Sequence, residues 1–97
     1  MAVLTYHPEA KKELKEAAQY YESCQEGLGK AYLSAVESVV KRLSSSPATW
    51  RKMRDPFRRI LVDRFPYGVI YSFDGEEIFI AAVMPLRRKP DYWHKRI

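Results

Sequence analysis

The chain has 97 residues and a mass of 11.4 kDa, which is enough for one hydrophobic core and too little for two. A 46% hydrophobic and 30% charged composition argues for a folded globular domain rather than a disordered chain. No apolar run approaches the ~20 residues of a membrane span, and a single cysteine, Cys24, excludes an internal disulfide and any multi-cysteine zinc site. Met1–Tyr6 lacks the basic start of a signal peptide, so the expected location is the cytoplasm, with no membrane partner.

Ala2 to Tyr6 is a short β-prone stretch that stops at His7-Pro8. Pro8 suits the first turn of a helix, and Glu9 complements the positive end of its dipole. Ala10, Leu14, Ala17, Ala18 and Tyr21 then recur at helical spacing as one apolar face, with Lys11, Lys12, Lys15 and Glu16 on the other. Gly27-Leu28-Gly29 breaks this helix. A second one follows, carried by Leu28, Tyr32, Val36, Val39 and Leu43, and Ser44-Ser45-Ser46-Pro47 ends it. The short connection predicts an antiparallel helical hairpin.

After Pro47 the period changes. Residues 48–57 read as an irregular loop anchored by Trp50, Met53 and Phe57. From Arg58 to Phe65 the pattern alternates, with Ile60 and Val62 on one face and Arg59, Leu61 and Asp63 on the other. Tyr67 to Phe73 is a β-branched and aromatic run, Asp74-Gly75 is a hairpin signal, and Ile78 to Met84 reads as a central strand ended by Pro85. The expected fold is a single α+β domain over residues 1–97, with order β-α-α-β-β-β. Its helical hairpin packs on a mostly antiparallel four-stranded sheet, and a basic tail follows.

Charge is unevenly placed. Residues 1–50 hold six basic and six acidic side chains; residues 51–97 hold eleven basic against six acidic, so the whole excess of +5 lies in the second half. Arginine dominates there, and its planar fork suits carboxylates and phosphates. The pattern points to a polyanionic target or an acidic protein partner. One basic group comprises Arg51, Lys52, Arg54, Arg58 and Arg59. Another lies in the tail, where Arg87, Arg88, Lys89, Lys95 and Arg96 flank Tyr92, Trp93 and His94. Trp93 reads first as an anchor pinning the tail to the sheet. If the strand carrying Arg59 lies beside the last strand, Arg59 and Arg87 would approach each other as an anion site.

His7, His94 and Cys24 show no paired ligand spacing, so neither a metal nor a cofactor is expected. Cys24, near the end of the first helix, reads as a partly buried structural thiol.

Four segments in order resemble the RelE/ParE superfamily, the toxin halves of type II toxin–antitoxin modules that include plasmid stabilisation proteins. They are Tyr6-His7-Pro8-Glu9-Ala10; Tyr20-Tyr21-Glu22 with Gly27-Leu28-Gly29; Arg58-Arg59 with Arg64-Phe65-Pro66-Tyr67-Gly68-Val69-Ile70-Tyr71; and Arg87-Arg88-Lys89-Pro90-Asp91-Tyr92-Trp93. The resemblance covers essentially the whole chain and implies the β-α-α-β-β-β fold. It also implies a growth-inhibiting protein neutralised by a cognate antitoxin with an acidic tail. RelE-like members cleave ribosome-bound messenger RNA without a metal, whereas ParE-like members poison DNA gyrase by binding. Under the ribonuclease reading, Arg59, Arg87 and Tyr92 take the catalytic positions. Arg58, Arg64, Arg88, Trp93 and Arg96 are the expected contacts for a target or antitoxin. Ribonuclease members carry arginine after the tyrosine that opens the third strand, where this chain has Gly68 after Tyr67. That difference places the chain nearer the ParE-like branch; a non-toxic remnant that keeps antitoxin-type binding is the third reading.

Overall fold

A computed structural model describes residues 3–53, 56–88 and 92–96; Arg54, Lys89 and the side chain of His94 lie outside the described residues. The chain runs β1 (Val3–Tyr6), α1 (Pro8–Cys24), α2 (Leu28–Ser45), β2 (Arg51–Lys52), β3 (Phe57–Leu61), β4 (Tyr67–Phe73) and β5 (Glu77–Pro85), and ends in a 3-10 turn, His94–Arg96. The strands form one sheet in the order β1-β5-β4-β3-β2, in which β1 pairs parallel to β5 and every other pair is antiparallel.

Local chemistry explains the helix ends. The His7 imidazole accepts from Glu9 N–H at 3.0 Å through Nδ1 and caps α1, whose first residue is Pro8. At the other end, the Glu22 carboxylate accepts from Gly27 N–H at 3.0 Å and from Gly29 N–H at 3.0 Å. One acidic side chain thereby satisfies the amides of the cap residue Gly27 and of Gly29 in the first turn of α2, and sits at the positive end of its dipole. Gly27, at φ 86°, makes the turn between the helices.

The alternation expected for the sheet sorts its residues onto two faces. Ile60, Val62, Val69, Tyr71, Ile78, Ile80 and Val83 meet Ala10, Ala17, Tyr32, Val36, Val39 and Leu43 of the hairpin. On the opposite face, Phe57, Ile70, Ala82 and Met84 are covered by Trp93, which is 1% exposed. The Trp93 and Phe57 rings meet edge to face at 4.5 Å. Trp93 is therefore the anchor of the tail. In the folded chain its ring is packed inside rather than displayed on the surface.

The sheet has five strands rather than the expected four. The added one, Arg51–Lys52, is two residues long and entirely charged, so it leaves no alternation to read. It places Arg51 opposite Arg59 and Lys52 opposite Arg58. A basic rim of this kind resists pairing with another chain's edge. The Asp74-Gly75 turn forms as expected. Asp74 Oδ1 accepts from Glu76 N–H at 2.9 Å and Glu77 N–H at 2.7 Å, and these donors hold its carboxyl below the usual range. Cys24 is exposed, because α1 ends there beyond its buried face. No described helix is long and apolar enough to cross a membrane.

Candidate functional site

The register of β4 and β5 shifts between Ile70 and Tyr71: Ile70 faces Ala82 and Tyr71 faces Ile80, which leaves Ala81 as an extra residue. On its other side β5 is paired by β1 only as far as Ile80. Past that point the backbone polar groups of β5 need other partners. Glu13, on the buried flank of α1, and Arg96, in the C-terminal turn, supply them. Glu13 Oε1 accepts from Val83 N–H at 3.0 Å, and Arg96 Nη1 donates to the Ala81 carbonyl at 3.0 Å.

The same two side chains grip each other through Arg96 Nη1 to Glu13 Oε1 at 3.0 Å and Nη2 to Oε2 at 3.1 Å. Tyr92 adds a fourth donor, its hydroxyl bonding Glu13 Oε2 at 2.7 Å. Val83, Tyr92 and the two arginine nitrogens together occupy the four or so lone-pair positions of a carboxylate. The guanidinium of Arg88 lies over the Tyr92 ring at 3.7 Å, with its Nη1 3.9 Å from Glu13 Oε2. Arg96 flanks the same ring at 4.9 Å.

This clamp sets the chemistry of Tyr92. Burial above all, then the hydrogen bond to Glu13 and that carboxylate's charge, raise its pKa well above the usual phenol range; Arg88 and Arg96 offset only part of this. At neutral pH the phenol is a committed donor and a poor proton acceptor.

The remaining basic residues sit apart from the clamp. Arg58 is half-buried, its Nη1 donating to the Trp50 carbonyl at 2.9 Å, so it props the loop before β3. Arg64 is exposed, in the left-handed region at φ 72°, with its guanidinium 5.7 Å from the Phe65 ring centroid. The strand adjacency expected for Arg59 and Arg87 does not occur, because β4 lies between β3 and β5. Instead Arg59 lays its stem against Gly68 of β4. A Cβ built at Gly68 would meet Arg59 Cδ at 3.2 Å, Arg59 Cγ at 3.3 Å and Leu86 Cδ2 at 3.5 Å. Arg59 borders a groove with Arg51, Trp50 and Asp63, whereas Arg87 borders a separate pocket beside Tyr20, Tyr21 and Tyr67. No group of three His, Cys, Asp or Glu side chains fit to hold a metal ion is gathered among the described residues.

A family model described as the ParE toxin of type II toxin-antitoxin system, parDE, matches residues 4–90, nearly the whole described chain. The chain belongs to the ParE toxin family. The similar solved structures include one titled as a chromosomal ParDE TA system from P. aeruginosa. It shares 18% identity at a TM-score of 0.67, covering 90% of this chain and 98% of that one. At that identity the likeness shows the shared fold. No curated protein sequence matches the chain. Family membership bears out the resemblance read in the four segments. Glu13 escaped sequence reading altogether: it is one of seven charged residues on α1, and only its distance of three residues from Ala10 and four from Ala17 marked it as close to the buried face.

Proposed function

We propose that this ParE-family chain arrests growth by binding DNA gyrase, without breaking a bond itself, and that a cognate ParD-type antitoxin with an acidic tail holds it silent. The observation that supports binding over catalysis is the state of Tyr92, whose hydroxyl is committed to a carboxylate that already accepts three other hydrogen bonds. A ribonuclease of this fold would need that phenol for proton transfer at neutral pH, with arginines converging on one phosphate. Here Arg59 and Arg87 border separate pockets, and Arg96 is neutralised by Glu13. The basic second half, with exposed Arg64, Arg87 and Arg88, suits an acidic partner.

The test is induction in a sensitive host lacking the antitoxin, with replication and translation followed separately in the first minutes. Early loss of replication with an SOS response, and inhibition of purified gyrase in a supercoiling assay, are the expected results. Early loss of protein synthesis with messages cut inside ribosome-occupied codons would instead make Arg59, Arg87 and Tyr92 a nuclease site. Unimpaired growth would mark a remnant.

A further inference from the structure

Five aromatic rings cluster, mostly edge to face, at the end of the hairpin. Tyr21 lies 4.9 Å from Phe65, 5.2 Å from Tyr32 and 6.1 Å from Tyr67, and Tyr20 joins it at 5.4 Å. Three phenols of this cluster, on Tyr20, Tyr21 and Tyr67, border a pocket of about 370 Å³ whose rim carries Arg87. Pro66, Pro85 and Leu86 form its apolar wall, fixed in place by the Leu86 N–H to Pro66 carbonyl bond at 2.9 Å.

We propose that this pocket binds one carboxylate, presented by an acidic side chain of a polypeptide partner. Arg87 is exposed and pairs with no carboxylate among the described residues, so its fork is available to an incoming anion. Burial raises the pKa of both Tyr21 and Tyr67, with Arg87 offsetting part of the rise, and the two phenols hydrogen-bond each other beside the pocket. The apolar wall would take the methylenes of a glutamate or its neighbouring side chain.

The surroundings favour an isolated carboxylate over a nucleic-acid backbone. A strand of phosphates needs several cations in a row, and this pocket has one guanidinium. The adjoining groove, which shares Tyr20, Tyr67 and Pro85 with the pocket, adds Arg88, but that guanidinium faces Glu13 and the groove also carries Glu16, so the two openings form no row of cations. The reading of this chain as an antitoxin-controlled toxin supplies only the source of the carboxylate; the site itself stands on the pocket.

Two measurements test it separately. In the first, N-acetylglutamate, inorganic phosphate and a short single-stranded oligonucleotide are titrated into the full chain while NMR follows the tyrosine rings and the arginine Nε signals. The expected result is saturable binding of N-acetylglutamate confined to the pocket. Arg87→Gln should weaken it by about tenfold or more, and Tyr67→Phe less. Equal shifts at Arg51 and Arg64, or binding indifferent to Arg87→Gln, would reveal only an adventitious ion and overturn the site. Tighter binding of the oligonucleotide through the same residues would overturn it in favour of nucleic acid. In the second, affinity for the cognate antitoxin is compared between wild type and Arg87→Gln. A loss of about tenfold supports the assignment, and an unchanged affinity removes the antitoxin as the occupant. No binding to wild type would overturn the antitoxin reading itself, whatever the first titration shows.

Discussion

Arg96 and Glu13, 83 residues apart, form a two-point ion pair that stands where a neighbouring strand would stand beside β5. The carboxylate takes the N–H of Val83 and the guanidinium gives to the carbonyl of Ala81, so a side-chain pair closes the strand's open edge. The need arises because β1 ends at Tyr6, opposite Ile80, where the chain turns into α1 at Pro8, so Ala81 and Val83 have no strand on that side.

Breaking the pair from one side should destabilise the fold. The two side chains are only 15% and 14% exposed, so Glu13→Gln leaves a largely buried guanidinium short of its counter-charge. Loss of about 2–4 kcal/mol is expected. The double variant Glu13→Gln, Arg96→Met should lose less than the sum of the single changes. Urea denaturation of the four members of this cycle measures the coupling.

Trp93→Ala should cost more than any tail substitution that touches only charge. It removes the ring that covers Phe57, Ile70, Ala82 and Met84, and a loss of about 3–5 kcal/mol follows from the cavity. Chemical denaturation gives the value. Emission from Trp93 should be blue-shifted in the folded chain and should move to the solvent value on unfolding.

Two glycine substitutions should behave oppositely. At Gly29 a Cβ would lie 2.5 Å from the backbone carbonyl oxygen of Ala18, where α1 and α2 touch. The usual helix-interior gain of about 1 kcal/mol for alanine is therefore overridden, and Gly29→Ala should be destabilising by about 1–3 kcal/mol. At Gly68 the obstacle is the flexible stem of Arg59, so Gly68→Ala should leave stability within about 0.5 kcal/mol of wild type while displacing that arginine. Thermal melts decide both.

Alkaline pH should weaken the fold in a defined direction. Burial raises Tyr71 to about 12 and pushes Tyr32 and Tyr92 higher still, with Tyr6, Tyr21 and Tyr67 also raised. The folded chain therefore keeps protons that the unfolded chain releases near pH ~10. The stability these phenols contribute is complete below that pH and declines as pH climbs through the folded-state values. Denaturant midpoints should be flat from neutrality to about pH 9 and fall above about pH 10, with most phenolate absorbance appearing together with unfolding.

Much of this was legible along the chain because it depends on near neighbours. The apolar spacing of α1 and α2, the alternation of β3, the Asp74-Gly75 turn and the order of the four family segments are all local patterns, and they recovered the fold and the family. Trp93 was readable as an anchor because a large ring in a polar tail has few other uses. What spacing could not reveal was which residues come together from opposite ends. Glu13 looks like any solvated helix acid until the end of β1 at Tyr6 leaves β5 with an unpartnered edge beyond Ile80. Tyr92, Arg88 and Arg96 look like an anion site until the same carboxylate claims them. Arg59 and Arg87 go to different pockets because of strand order, which periodicity does not encode. Side-chain type and local pattern settled the elements; the pairing of charges was decided only when long-range packing fixed which donors one buried carboxylate had to satisfy.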